Sequence, residues 1–297
     1  MKNDDNPVGT WPHEEPASFR PALERTAGLL GFRPALVEKD YYCSLVLKAL
    51  AQPGGSWVFK GGTCLSKVYA DFYRLSEDLD FSIPITASAG RDQRRKLIEP
   101  AKVLLAGIAQ AIPGIELAEK LTGRNESTQY VASLRYRSAI VGDWDRIKVE
   151  IGMREPLLRP VVSRSIRTLL RDVFTGSEQV PAFDLPVMDL SEALAEKVRA
   201  ALTRKGPAIR DFYDLDFAAK TLGMNMIEPG FVALVQRKLS MPGNGPIQLT
   251  EDRRKALAVQ RSKELNIVLR SGMAESFDLD RIWSSLGALV ERLTSSA

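Results

Sequence analysis

The stretch Val58–Ile83, VFKGGTCLSKVYADFYRLSEDLDFSI, decides how the rest of the chain is read. It predicts a strand, a glycine turn, a helix, a loop and a second strand. Trp57, Val58 and Phe59 form a short apolar run that Gly61-Gly62 ends, and glycines there let a backbone approach a bound group closely. From Thr63 to Tyr73 the apolar residues Leu65, Val68, Tyr69 and Phe72 fall near helical spacing. A glycine turn opening a helix points free N–H groups at a place where a phosphate can sit. Asp78-Leu79-Asp80-Phe81 follows. In a strand, positions i and i+2 share a face, so both carboxylates leave one side while Leu79 and Phe81 enter the core. Paired carboxylates beside a phosphate cradle suit Mg²⁺ in phosphoryl or nucleotidyl transfer. Either half alone is commonplace, since Asp-x-Asp occurs on many solvated strands and Gly-Gly in many turns. Their order, with a helix between them, favours a site.

Composition narrows the chemistry. The chain has 297 residues, 44% of them hydrophobic and 26% charged, enough for one large globular unit or two modest ones. No apolar run approaches the roughly 20 residues that span a bilayer. The N-terminus, MKNDDNPVGTWPHEEPAS, lacks the apolar segment of a secretory signal. A cytoplasmic protein with no membrane partner is expected, with residues 1–17 as a mobile tail. Two cysteines, Cys43 and Cys64, suggest neither a disulfide framework nor a zinc site. The single histidine, His13, falls in the expected tail, which excludes Ser-His-Asp, Cys-His and HExxH sites from the folded body. Chemistry must then run on carboxylates, lysine, arginine, hydroxyls and metal. The net charge of +4 permits nucleic acid binding without demonstrating it.

Outward from the opening stretch, residues 18–50 read as two helices, 52–56 as a turn and 88–111 as an amphipathic helix. Residues 115–152 turn to strands. In Arg146–Ile151, Ile147, Val149 and Ile151 face one way, Lys148 and Glu150 the other. Pro156, Pro160, Pro181 and Pro186 interrupt the next stretch, and the domain junction is placed there, giving units 18–185 and 186–297. The second unit reads as helical. Asp189-Leu190-Ser191-Glu192 resembles a capping box, and Lys197 borders the buried side of the helix it opens, with Arg204 two turns on. Asp211 and Asp214 lie at i, i+3 and share a face of the next helix. Arg253, Arg254, Lys255, Arg261 and Lys263 read as a solvated basic face.

Four ordered blocks carry a family resemblance. They are Lys60-Gly61-Gly62-Thr63 with Leu65-Ser66-Lys67 and Arg74–Asp80; the Glu150 strand; Glu196-Lys197 with Ala200-Ala201-Leu202 and Arg204; and Arg210-Asp211-Phe212-Tyr213-Asp214-Leu215. Together they resemble the AbiEii-type (AbiEii/AbiGii, MenT-like) nucleotidyltransferase toxins of the DNA polymerase β-like superfamily. The resemblance implies an α/β (α+β) fold, with a polymerase β-like core whose mixed sheet is flanked by helices, plus a C-terminal helical bundle. It implies a toxin with a cognate antitoxin, moving a nucleotide from a nucleoside triphosphate to an RNA acceptor such as the 3′ end of tRNA and so blocking translation. Asp78, Asp80 and Glu150 would then hold Mg²⁺, with Mn²⁺ as the alternative cation. Lys60, Gly61, Gly62, Thr63, Lys67, Ser76 and Lys197 would face the nucleotide. Asp211 would orient Lys197 or assist the metal and acceptor, and Asp214 would be structural. Ser76 is expected on the face of Asp78, where covalent modification would set negative charge against the metal and triphosphate. The pattern departs from the wider superfamily in Gly-Gly-Thr for Gly-Ser, a longer gap to the first aspartate, and glutamate as third acid.

Two other readings stand beside this one. A metal-dependent glycosyltransferase also uses Asp-x-Asp, although neither the glycine-opened helix nor the RDxYD block is expected there. A non-catalytic nucleic-acid- or antitoxin-binding module would need no intact set of Asp78, Asp80, Glu150, Lys197 and Asp211.

Overall fold

The computed structural model describes residues 11–51, 55–86 and 89–295. Residues 52–54 of the expected turn and residues 1–10 of the expected tail lie outside them. Among the described residues, seven strands make one mixed sheet: β1 (Val58–Lys60), β2 (Leu79–Ser82), β3 (Ile115–Arg124), β4 (Gln129–Arg137), β5 (Trp144–Gly152), β6 (Val162–Ile166) and β7 (Phe183–Val187). Their order is β3-β4-β5-β2-β1-β7-β6, so the two strands of the opening stretch lie at the centre. β2 runs antiparallel to β1 and parallel to β5.

Strand alternation sorts the central side chains into two sets. Phe59, Leu79, Phe81, Val149 and Ile151 are buried in the apolar core. Lys60, Asp80 and Glu150 occupy the intervening positions. Helices α1 (Pro16–Leu30), α2 (Pro34–Leu50), α4 (Arg91–Ala106) and α5 (Ile108–Ala111) contribute to the same core. α2 is buried along most of its length, and its internal charges have partners: Glu38 accepts from the Ala139 N–H at 2.6 Å, and Asp40 pairs with Lys67 at 2.6 Å.

The helix expected from Thr63 to Tyr73 starts earlier and ends sooner. α3 (Gly61–Cys64) continues as a wide π-helical turn over Leu65–Tyr69, and Asp71 and Phe72 adopt positive φ. Trp11, Pro12 and His13, expected in a mobile tail, are instead partly buried against the body. Pro12–Glu14 form a 3₁₀ turn, and His13 Nε2 donates to the Pro113 carbonyl at 2.7 Å while Nδ1 accepts from the Tyr41 hydroxyl at 2.8 Å. Burial lowers the His13 pKa, which favours this neutral donor–acceptor form.

A second core gathers the helices α6 (Leu190–Thr203), α7 (Ile209–Thr221), α8 (Pro229–Leu239), α9 (Glu251–Gln260), α10 (Asn266–Val268) and α11 (Leu279–Ser295). Leu65, Ala70 and Tyr73 of the opening stretch belong to this core rather than to the sheet's. The Asp189 side chain caps α6, accepting from the Ser191 N–H at 3.0 Å and the Glu192 N–H at 3.3 Å. Arg253, expected on a solvated face, is buried, and its guanidinium donates to the Ala201 and Arg204 carbonyls at 2.9 Å each. It thereby satisfies carbonyls that the end of α6 leaves unpaired. Among the described residues, no helix is long and apolar enough to cross a membrane.

Candidate active site

Three strands put three charged side chains in register. Lys60 on β1 is the partner of Asp80 on β2, and Asp80 is the partner of Glu150 on β5. Gly61 sits beside this row with φ of +79°, a conformation that side chains disfavour. A Cβ there would stand 2.3 Å from Asp80 Oδ2, so the aspartate itself occupies the space a larger residue would need. A Cβ at Gly62 would stand 2.7 Å from Arg74 Nη2 and 3.0 Å from Ser76 Oγ. Both glycines are therefore required by close approach, the first to a candidate metal ligand.

Opposite the row stands α6. A cavity of about 250 Å³ separates them, lined by Lys60, Gly61, Gly62, Asp80 and Glu150 on one side and by Glu196, Lys197, Arg204 and Asp211 on the other. Lys197 is clamped at 2.9 Å by both Asp211 and Asp214, and Arg204 reaches Asp211 at 3.1 Å. Burial lowers the Lys197 pKa, but the two carboxylates outweigh it and the net shift is upward, so the ammonium stays charged. Asp214 is fully buried and accepts from Arg74 Nε at 2.5 Å and Nη2 at 2.7 Å, as well as from the Tyr73 hydroxyl. The first and fourth sequence blocks are thus bonded to each other through Arg74 and Asp214, and Lys197 of the third joins them.

Asp80 carries the clearest electrostatic signature. Burial, then the neighbouring charges of Glu150 and Asp78, push its pKa up to about 6, against a smaller opposing pull from Lys60. Burial also pushes Glu150 up, but Lys148 at 2.8 Å and the Gln129 amide at 2.6 Å prevail and leave it lowered. Among the described residues, no three acidic, histidine or cysteine groups form a ready-made metal cage. Asp80 and Glu150 stand side by side, whereas Asp78 is exposed just ahead of β2 and does not line the cavity. Mg²⁺ is commonly held by one or two carboxylates, with waters and substrate phosphates completing its octahedron. The crowded negative charge around Asp80 fits such a cation.

Three expected nucleotide contacts fall elsewhere. Lys67 is 4% exposed and points into α2, where it pairs with Asp40 at 2.6 Å and donates to Ser44 Oγ at 2.8 Å. The buried Asp40 needs a counter-charge, and position 67 lies on the face that packs against it. The Thr63 hydroxyl is buried and donates to the Asp78 carbonyl at 2.5 Å, tying the aspartate loop to the glycine turn. Ser76 is half-buried behind Gly62 and does not line the cavity. Conversely, the cavity wall includes Arg199 and Glu196, to which the local sequence pattern gives no role. The same holds for Gln129, whose amide donates to Glu150. Each depends on a contact between distant elements that no local pattern announces.

A mixed sheet carrying acids in register against a lysine-bearing helix defines a protein of the nucleotidyltransferase fold class. The family model for the nucleotidyl transferase AbiEii toxin of type IV toxin–antitoxin systems matches residues 45–284, and the chain belongs to that family. Among solved structures, JHP933 from Helicobacter pylori is similar at a TM-score of 0.52 and 19% identity, over 89% of this chain and 94% of that one. A second H. pylori chain, provisionally described as a nucleotidyltransferase, aligns at a TM-score of 0.48 and 19% identity, over 89% of this chain and 97% of that one. No curated protein matches.

Proposed function

We propose that this chain transfers a nucleoside monophosphate from a nucleoside triphosphate to an RNA acceptor, the 3′ end of tRNA, and that this blocks translation in the cytoplasm. The observation that carries the reading is the register of Lys60, Asp80 and Glu150 across a single cavity from the clamped Lys197. Asp80 and Glu150, with Asp78 at the rim, would hold Mg²⁺ or Mn²⁺, which would stabilise charge on the attacking and leaving oxygens. Gly61 and Gly62 let the triphosphate approach the backbone at the start of α3. Lys197 and Arg204 meet its phosphates as point charge and fork. Asp211 keeps both cations aimed at the cavity. Catalysis then consists of positioning and electrostatics, with little covalent chemistry by the protein. Residues 186–297 act as a second unit that supplies Lys197 and Asp211 to the sheet of the first. An antitoxin keeps the activity in check in the resting cell.

The test is incubation of purified protein with total tRNA, Mg²⁺ and each α-phosphorus-labelled nucleoside triphosphate in turn, beside Asp80→Ala. Label is expected on tRNA from the wild type and not from the variant. RNA binding without incorporation into any acceptor would overturn the reading in favour of a binding module. Transfer from a nucleotide sugar instead would indicate a glycosyltransferase.

A further inference from the structure

One contact at the cavity runs against what strand pairing alone would produce, and its meaning rests on the metal-dependent reading above. Lys60 and Asp80 are directly opposed on antiparallel strands. Opposite charges in that relation ordinarily pair across the strands. Here the Lys60 ammonium is drawn off the sheet to Glu196 on α6, with Nζ 2.9 Å from Oε2. Among the described residues, its ion pair is with Glu196 and not with Asp80.

Glu196 does not depend on Lys60 for its own position. Its other oxygen is held at 3.1 Å by Lys238 of α8 and at 4.0 Å by Arg199. Lys238 is fully buried and is itself fixed by Glu192 at 2.8 Å. Arg199 is fixed by Glu155, both of whose oxygens lie 2.9 Å from its Nη1. This anchored charge network ends at the cavity wall in a single carboxylate oxygen aimed at Lys60.

We propose that Glu196 is a positioning residue that holds the Lys60 ammonium away from the Asp80 carboxylate, leaving Asp80 open to a divalent cation. Released from Glu196, the lysine's flexible four-carbon stem lets it settle on the opposed aspartate. A tethered ammonium and the metal then compete for the same oxygens, and burial of the site strengthens the competition. Lys238 serves the same end one step further back, by keeping Glu196 in place.

The test is Mn²⁺ binding to the full chain by calorimetry, with no nucleotide present, so that the readout is independent of activity. Glu196→Gln is expected to weaken Mn²⁺ binding about tenfold, the scale of one close charge pair. The double variant Glu196→Gln/Lys60→Met is expected to recover wild-type affinity or better, because the competitor is gone. A merely structural role for Glu196 would not be rescued by removing a second charged residue. Wild-type affinity in Glu196→Gln, or a double variant no tighter than the single, overturns the proposal. Lys60→Met alone should bind at least as tightly as wild type, and this arm decides the matter if Glu196→Gln fails to fold. Weaker binding by Lys60→Met would also overturn it. Failure of the wild type itself to bind Mn²⁺, judged against Asp80→Ala, would instead bring down the metal site and this inference with it.

Discussion

Replacing Asp214 with alanine should destabilise the fold by stranding a buried guanidinium. The side chain is fully buried and answers two cations: Arg74, itself 2% exposed, and Lys197 at 2.9 Å. Lys197 keeps Asp211 after the substitution, but Arg74 loses the acceptor of both its Nε and Nη2 protons. Removing one partner of a buried pair leaves an uncompensated charge and costs about 3–5 kcal/mol. Urea denaturation of Asp214→Ala should show a loss in that range, a large share of the total stability expected for a domain. Arg74→Met should be destabilising as well. The double variant should lose less than the sum of the two by about 2 kcal/mol or more, because neither charge is then stranded. The pH dependence has a definite sign. Burial raises the Asp214 pKa, but Arg74 and Lys197 outweigh it and hold the carboxyl well below its ordinary value. Such a group contributes stability that is complete above the unfolded carboxylate pKa of about 4 and is lost as pH falls toward the folded value. The gap between wild type and Asp214→Ala should therefore be constant from about pH 5 to 8 and narrow below about pH 4. A loss under about 1 kcal/mol, or strict additivity in the double variant, would refute the reasoning.

Gly61→Ala should abolish transfer while the chain still folds, since its Cβ would meet Asp80 Oδ2 at 2.3 Å and φ is +79°. The strain is on the order of 1–2 kcal/mol, so comparing melting with labelled-nucleotide incorporation separates the two effects. Asp80, raised to about 6 by burial and then by Glu150 and Asp78, binds its proton more tightly folded than unfolded, so without metal it favours the fold at low pH and disfavours it above about pH 6. Added Mn²⁺ should accordingly raise the melting temperature more at pH 7.5 than at pH 5, and equal shifts would argue against Asp80 as a ligand. Lys67→Met strands the buried Asp40, so it should destabilise the fold by about 3–5 kcal/mol. At a temperature where it remains folded, its KM for the nucleotide should be unchanged, whereas a lysine on the phosphates would raise KM.

How far the sequence foretold the site follows from the range over which each constraint acts. Alternation and glycine geometry are local, and they placed Asp80 and Glu150 opposite the core without reference to any other element. The capping box at Asp189 and the shared helix face of Asp211 and Asp214 are local in the same sense. Lys67 went astray because its partner Asp40 lies on α2, so the lysine in KGGTxLxK reads as a phosphate ligand until that buried acid is seen. Arg253 looked like part of a solvated basic run for the same reason: the unpaired carbonyls of α6 lie some fifty positions earlier in the chain. His13 reads as part of a tail because its proline-rich surroundings carry no helical or strand period, while its two hydrogen bonds are to Tyr41 and Pro113.

Those long-range contacts also explain why the four sequence blocks are arranged as they are. A cation needed in the cavity cannot be held by the sheet alone, whose free charges there are the acids that would attract it. Lys197 and Lys60 are each kept available by acids on α6 and α7, which are in turn anchored by buried cations: Arg74 behind Asp214, Lys238 behind Glu196. Alternating the sign of charge outward from the cavity leaves each of these buried ions paired. It also leaves the innermost groups, Asp80 and the two ammoniums, facing the space between sheet and helix. Arg74 belongs to the first block and Asp214 to the fourth, so their contact also fixes how the glycine turn sits against the helix that carries Asp211. A substitution that loosens the pair should therefore raise KM for the nucleotide even where the fold survives.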